Sequence, residues 1–174
     1  MNYLKIDKED VCNGEGLRVV LWLSGCSHKC KGCQNPQTWD ANSGIPFDEQ
    51  AKEELFRELN KDYISGLTLT GGDPLFESNL DNVLALVNEI RLSSPQKSIW
   101  LYTGFTFEEI VYSTIKCNQS RIRKIILNNI DVLIDGQYIE SQRDITLPYR
   151  GSSNQRLIDA QQSLQKGEIV LWQT

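Results

Sequence analysis

The sequence lacks the features that mark membrane, secreted and nucleic-acid-binding proteins. No apolar run approaches the ~20 residues that a transmembrane helix requires. The N-terminal segment, MNYLKIDK, has no apolar core of the kind found in a signal peptide. Lysine and arginine number 18 against 23 acidic residues, and a net charge of -5 gives no general attraction to nucleic acid or to an anionic membrane. We therefore expect a protein of the reducing cytoplasm, with no membrane or nucleic-acid partner.

The chain is also short, and it contains one histidine and one methionine in 174 residues. A complete eight-fold βα barrel typically needs about 250 residues, so this chain is too short for one. Internal repeats, low-complexity tracts and linkers are missing from the sequence. We expect a single domain over residues 1–174, long enough to bury a core.

Cysteine is the residue type whose arrangement says most about function. Five cysteines are present, and three of them crowd into one short segment at Cys26, Cys30 and Cys33. An odd total, with three so tightly packed, does not suit a disulfide framework. In a reducing compartment such a cluster is better interpreted as a set of metal ligands. Cys12 and Cys117 stand alone and are expected to behave as small buried apolar residues.

The spacing C-x3-C-x2-C favours an iron–sulfur cluster over other metal sites. Thiolates are the usual ligands of such clusters, and three of them on four irons leave one iron open for chemistry. Structural zinc prefers four ligands, commonly two C-x2-C pairs, and here only Cys30 and Cys33 form such a pair. His28 is a candidate fourth zinc ligand, although closure on so short a loop would be strained, and we otherwise expect it to be an exposed loop residue. A three-cysteine catalytic zinc and bare thiols are the remaining alternatives.

Strand patterns and helix patterns alternate along the chain. Apolar, β-rich segments predict strands at residues 17–23, 66–70, 99–102 and 131–134. Helical spacing predicts helices at 48–59 and about 79–92, with Ser78 as a cap, and Thr106 with Glu109 forms a capping box that opens another helix. This alternation predicts an α/β fold with a parallel sheet of right-handed βαβ units.

The C-terminal third predicts two short strands, at 157–159 and 168–172, with a turn or a brief helix between them. With these segments we expect an incomplete, open (βα) barrel of about five or six mostly parallel strands. Glycines follow the first four strands, at Gly25, Gly71 with Gly72, Gly104 and Gly136. Ligand sites of parallel α/β folds lie at these strand ends, so the cysteine loop and the glycines are expected to share one site.

The cysteine motif after the first strand resembles that of the radical S-adenosylmethionine (SAM) superfamily. The resemblance implies a barrel of the radical SAM type, in which Cys26, Cys30 and Cys33 bind one 4Fe-4S cluster per chain. The amino and carboxylate groups of SAM would chelate the fourth iron. An electron from the reduced cluster would then split SAM into methionine and a 5′-deoxyadenosyl radical, with no catalytic side chain beyond the cluster and SAM.

Further segments resemble one family within that superfamily, the activating proteins of anaerobic (class III) ribonucleoside-triphosphate reductases. These segments are residues 13–18, 35–40, 70–75, 131–136 and 150–155. The resemblance implies an oxidoreductase that removes a hydrogen atom from one glycine of the reductase large subunit. It also implies that a low-potential electron donor such as flavodoxin supplies the electron. The alternatives are an activating enzyme of another glycyl-radical enzyme (pyruvate formate-lyase type), a radical enzyme acting on a small molecule, and a non-catalytic zinc-binding interaction module.

The resemblance also implies two groups of SAM contacts. One is Gly32, Cys33 and Gln34, and the other is Gly71, Gly72 and Asp73. Gly32 and Gln34 stand where the superfamily has an aromatic residue near the adenine, so backbone groups of residues 32–34 are expected to contact it. Asp73 replaces a glutamate of the superfamily motif and keeps the carboxylate. The roles of Asp135 and of Arg150 to Asn154 stay open between cavity contacts and ordinary strand-end or loop positions.

Overall fold

The structure, a computed structural model, describes residues 1–114 and 117–173. Its strands are β1 (Asn2–Asp10), β2 (Arg18–Leu23), β3 (Ile45–Pro46), β4 (Gly66–Gly71), β5 (Ser98–Tyr102), β6 (Val132–Asp135) and β7 (Arg156–Asp159). Its helices are α1 (Glu49–Leu59), α2 (Leu80–Ser93), α3 (Phe107–Val111), α4 (Asn118–Leu127) and α5 (Ala160–Lys166). The chain therefore forms a mixed α/β fold in which strands and helices alternate from β3 to α3.

The described strands form one seven-stranded sheet in the order β3-β1-β2-β4-β5-β6-β7. The central four, β2, β4, β5 and β6, are parallel to one another, as predicted. Both flanks are antiparallel, because β1 runs against β2 and β3, and β7 runs against β6. The prediction of five or six mostly parallel strands is thus corrected to seven strands, of which four are mutually parallel.

Two strands that were not predicted, β1 and the two-residue β3, and one predicted strand that does not form explain why the strand count was wrong. The sequence of β1 is rich in charged residues, and of its nine residues only Tyr3 is buried, so its apolar signal is weak. At the other end, the strand expected at 168–172 is reduced to a single bridge between Ile158 and Leu171. The apolar residues there serve packing instead, since Trp172 lies edge-on to Trp100 at 5.8 Å. The brief helix expected before them is α5.

The two faces of the sheet are covered differently. The main core lies on the face that receives the helices, where strand residues such as Leu21 and Leu101 pack with Leu55 of α1 and Val87 of α2. The opposite face carries a smaller cluster of Trp100, Val132, Ile134 and Leu157, against which Tyr102, Tyr149 and Trp172 pack. Helices therefore back one face, while loops and strand-end side chains cover the other.

Arg18 fastens the amino-terminal ends of three parallel strands on that second face. It is 0% exposed, and its Nε donates to Thr68 Oγ1 at 2.8 Å. Its two terminal nitrogens donate to the carbonyl oxygens of Glu15 and Leu67 and to both oxygens of Ser98. Burial lowers the pKa of this guanidinium to about 10. Because Arg18 ties the strands at this edge, the carboxyl edge is the one left for a ligand.

The start of α1 provides a direct test of these local assignments. Asp48 is its N-cap, and the carboxylate accepts a hydrogen bond from Ala51 N at 3.0 Å. Asp48→Ala is expected to lower the free energy of unfolding by about 1 kcal/mol, measured by urea denaturation. Ser78→Ala is the matched control, because Ser78 lies in a short 3-10 turn and the N-cap of α2 is Asn79, not Ser78 as predicted. Equal losses in both variants would contradict the assignment.

Candidate functional site

The cysteine loop begins directly after β2 and is fastened at its start. Gly25 N donates to Thr38 O at 2.7 Å, and Cys26 N donates to Trp39 O at 3.1 Å. Gly25 has φ +97°, and a Cβ at this position would lie 2.7 Å from the ring of Phe76. These contacts hold the first cysteine against the segment that returns after the loop.

The second half of the loop is built from tight local turns. Cys33 N donates to Cys30 O at 3.1 Å, and Asn35 N donates to Cys33 Sγ at 3.3 Å. Lys29 and Gly32 both have positive φ, at 47° and 73°. The backbone therefore reverses twice within a few residues, which keeps Cys30 and Cys33 close along one turn.

All three motif cysteines are free thiols of intermediate exposure. Burial raises the pKa of the Cys26 thiol, opposed by the backbone N–H groups of His28 and Lys29. Burial also raises the pKa of Cys30, and there the backbone N–H of Tyr138 opposes the shift. A bound metal centre reverses this preference, because its positive charge favours the thiolate. The donor set thus has the soft, partly shielded character that iron–sulfur clusters use.

In residues 1–114 and 117–173, no group of three or more histidine, cysteine, aspartate or glutamate side chains converges as a single metal ion would require. Each thiolate of a 4Fe-4S cluster binds a different iron, so its ligands need not point at one atom.

A cavity of about 480 Å³ adjoins the last cysteine of the motif. Its lining residues come from seven parts of the chain: Cys12, Asn13, Trp22, Cys33, Gln34, Asn35, Thr70, Tyr102, Tyr138, Leu147, Tyr149, Arg150, Gly151 and Gln155. Trp22, Thr70 and Tyr102 stand near the carboxyl ends of β2, β4 and β5. The structure therefore brings Cys33 and Gln34 to the carboxyl edge of the parallel strands, where a shared site is expected.

Tyr102, Tyr138 and Tyr149 line this cavity, and no sequence pattern predicted them as site residues. Tyr102 donates through its hydroxyl to Tyr149 O at 2.8 Å, and burial raises its pKa. Gly151 lies between the ring of Tyr138 and the amide of Gln34, since an added Cβ would be 3.1 Å and 3.3 Å from them. Tyr138 and Tyr149 sit in a loop without a recognisable motif, so only the folded chain shows that they face the cysteine motif.

The segment from Arg150 to Gln155 also reaches the cavity. The sequence alone had left the role of Arg150 to Asn154 open. Arg150 and Gly151 line it, together with Gln155. The Nε atom of Arg150 is buried and has no hydrogen-bond partner in the part of the chain that the structure describes. An unpartnered guanidinium N–H beside a cavity is suited to an anionic group of a ligand.

Gly71 and Gly72 are packed against the end of the neighbouring strand. Gly71 has φ +98°, and an added Cβ would lie 2.9 Å from the backbone of Leu23. A Cβ on Gly72 would lie 2.5 Å from Gly25 O, and its N–H donates to Leu23 O at 2.7 Å. These glycines therefore let two strand ends approach each other, and their contact with SAM stays a prediction.

His28 corrects an expectation, because its side chain is only 10% exposed rather than lying free in a loop. Its Nε2 is 2.9 Å from Asp73 Oδ2, within ion-pair distance although not aligned as a hydrogen bond. Its ring packs edge-on against Phe105 and sits directly over Gly104, where a Cβ would come within 2.4 Å. Gly104, the glycine after β5, is the sequence feature that leaves space for the imidazole ring of His28.

Asp135 makes its contacts at the end of β6, and it is not among the residues that line the cavity. It is 1% exposed, accepts from Phe107 N at 2.8 Å and pairs with Arg156. Arg156 also bonds Glu108 at 3.0 Å and lowers the pKa of that carboxyl. This group joins the ends of β6 and β7 to the start of α3.

Residues 12–158 match the family model described as a 4Fe-4S single cluster domain. The anaerobic ribonucleoside-triphosphate reductase-activating protein of Enterobacteria phage T4 is 44% identical over 157 residues, covering 90% of this chain and 93% of the phage protein. Proteins of the same name from Haemophilus influenzae and Escherichia coli are each 40% identical over 157 residues, covering 89% of this chain and 96% of theirs.

The chain belongs to the family of anaerobic ribonucleoside-triphosphate reductase-activating proteins. This membership confirms the resemblance of the five sequence segments to the family. The match to a 4Fe-4S domain supports an iron–sulfur cluster in this chain. The matched range begins at Cys12 and includes the cysteine motif and every strand of the parallel core. None of the helices in the described residues is long and apolar enough to cross a bilayer.

Proposed function

We propose that the protein activates an anaerobic ribonucleoside-triphosphate reductase by generating its glycyl radical through reductive cleavage of SAM. The observation that supports this most directly is the cavity of about 480 Å³ that joins Cys33 to three parallel-strand ends, in a chain of the activating-protein family. That volume lies within the range of small-ligand sites, about 300–1,000 Å³. Cys26, Cys30 and Cys33 are the proposed ligands of one 4Fe-4S cluster.

When bound and reduced, such a cluster supplies the electron that splits SAM into methionine and a 5′-deoxyadenosyl radical. The task of the chain is to place and shelter the reacting groups. The turns at Lys29 and Gly32 present the thiols from one loop, while Trp22 and Tyr102 form apolar walls that limit water. Positioning of this kind converts an encounter in solution into a reaction between fixed partners.

The proposed SAM contacts come from both sides of the cavity. Cys33 and Gln34 line it on the motif side, and Thr70 lines it at the end of β4. The backbone groups of Gly32, Gly71 and Gly72 and the carboxylate of Asp73, next to these residues in sequence, are the further proposed contacts. Tyr138 and Tyr149 offer aromatic faces for adenine in the place of the aromatic that the motif lacks. Arg150 is the proposed partner of the SAM carboxylate, because its buried Nε is free to donate.

The architecture supports an incomplete barrel of the radical SAM type that spans residues 1–174 as one domain. Helices back one face of a single sheet, and the two outer strands, β3 and β7, pair on one side only. An open carboxyl edge suits a substrate that is a loop of a larger protein, here the reductase large subunit. A low-potential donor such as flavodoxin would reduce the cluster, in the cytoplasm where thiolates stay reduced.

The proposal is tested by anaerobic reconstitution with iron and sulfide, followed by dithionite and SAM. For one cluster per chain, we expect about four irons and about four sulfides per chain. We also expect 5′-deoxyadenosine to form. Adding the reductase should give its glycyl radical by EPR, and omitting SAM should prevent it. A colourless protein that binds zinc without sulfide would establish the interaction-module alternative. A radical on pyruvate formate-lyase but not on the reductase would identify the other activase.

A further inference from the structure

We propose that His28 is a positioning residue, which fixes the cysteine loop to the ends of β4 and β5 through Asp73. This inference rests on the proposed function, because the loop is taken to hold the cluster. His28 is the single histidine of the chain and lies midway between Cys26 and Cys30. A restraint at this place sets the separation of two ligands.

The ring of His28 is held from three directions. Asp73 Oδ2 lies 2.9 Å from its Nε2. Phe105 packs edge-on, with ring centroids 4.7 Å apart and an interplanar angle of 76°. The absent side chain of Gly104 leaves the space that the ring fills, since a Cβ there would lie 2.4 Å from the imidazole Cδ2. A loop side chain with 10% exposure and contacts on three sides is immobilised by them.

Asp73 is a rigid anchor for this contact. It is 2% exposed, and Thr103 Oγ1 donates to both its oxygens at 2.9 and 3.0 Å. The backbone N–H groups of Leu75 and Gly104 donate to it at 2.8 and 3.1 Å. A buried carboxylate is stable only when its oxygens are bonded in this way. Since both oxygens are held by the protein, Asp73 offers His28 a fixed partner, and the predicted contact of Asp73 with SAM stays a prediction.

The rest of the loop explains why this one contact matters. The start of the loop is tied to Trp39, and its end turns locally at Cys30 to Cys33. The other side-chain tie, from Lys31 to Glu140 at 3.2 Å, joins two exposed groups and is expected to be weak. His28 is therefore the buried tie between the motif and the parallel strands, and ligand geometry is sensitive to displacements of about 1 Å.

The reactivity of individual thiols in the metal-free protein measures this restraint directly. His28→Ala is expected to make Cys26 and Cys30 react with iodoacetamide about tenfold faster, as followed by peptide mass spectrometry. Cys12 and Cys117 are internal controls and should react as in the wild type. His28→Gln keeps a donor near the position of Nε2 and should restore much of the protection. Ser27→Ala is the matched control, because Ser27 is an exposed residue of the same loop.

The reconstituted protein gives a second readout. His28→Ala should release iron to a chelator faster than wild type and change the EPR signal that SAM induces, at an unchanged thermal midpoint. Equal thiol reactivity in wild type and His28→Ala would overturn the proposal, and so would equal acceleration at Cys117. If His28→Ala does not fold, His28→Gln alone decides, because retained protection of Cys26 and Cys30 supports the restraint and a full loss of protection in the folded variant contradicts it. A wild type without a cluster would refute the proposed function and leave the thiol test valid.

Discussion

Replacing any one of Cys26, Cys30 and Cys33 by alanine is expected to lower SAM cleavage at least about 100-fold. Loss of partners that only support metal ligands already costs about 10–100-fold, so loss of a ligand itself should cost more. The measurements are 5′-deoxyadenosine formed per chain and iron and sulfide content after anaerobic reconstitution. The three thiols lie on one loop and are all of intermediate exposure, and each is a proposed ligand of the same cluster, so all three variants should behave alike.

Cys117→Ala is the matched control for these variants. Cys117 is the residue before α4, and its thiol contacts Ser120 at 3.3 Å, well apart in sequence from the motif. It should keep a full cluster and wild-type cleavage. A single motif variant that retains both would remove that cysteine from the ligand set, and a cluster lost equally in Cys117→Ala would show general instability instead.

Gly72→Ala is expected to lower the free energy of unfolding by about 2–3 kcal/mol, the cost of overpacking a closely packed site. Its Cβ would lie 2.5 Å from Gly25 O, and a backbone oxygen cannot swing aside as a flexible side chain can. Gly25 immediately precedes the first cysteine, so the shift should also reduce iron content after reconstitution. Urea denaturation of the metal-free protein measures the first effect, and iron analysis measures the second.

Gly167→Ala separates this clash from the ordinary cost of replacing a glycine. Gly167 ends α5 with φ +70°, and nothing lies within 4 Å of an added Cβ. It should cost about 1 kcal/mol through backbone strain alone and leave iron content unchanged. If Gly72→Ala is no more destabilising than Gly167→Ala, the close approach of the two strand ends is not what requires glycine.

The sequence predicted those elements whose signal is local. The parallel strands, α1 and the capping box at Thr106 appear where apolar periodicity and capping residues placed them, and the structure confirms both hydrogen bonds of that box. β1 was missed because its charged residues hide an edge-like strand whose pairing with β2 depends on distant residues. A strand at 168–172 was expected because apolar residues there mimic one while packing against Trp100.

The residues of the candidate site also differ in whether a local sequence signal predicted them. Cysteine spacing and strand-end glycines were visible in the sequence, and they led to the edge where Cys33 borders the cavity. Tyr138 and Tyr149 were not visible, because they reach the cavity only when the loop after β6 folds back over it. The burial of His28 depends on Asp73 and Phe105, which lie more than one strand away along the chain. Contacts of this kind follow from topology and not from any window of sequence.

The sheet ends at β3 on one side and at β7 on the other, so within the described residues each outer strand lacks one neighbour and the sheet does not close on itself. Under the proposed function, a radical formed at the cavity beside Cys33 would be shielded from solvent only where this chain surrounds the cavity. The remaining shielding from solvent would have to come from the partner protein that binds at the carboxyl edge of the parallel strands. Tight coupling between SAM cleavage and glycyl-radical formation is then expected only in the two-protein assembly. The isolated chain is expected to cleave SAM without a productive reaction.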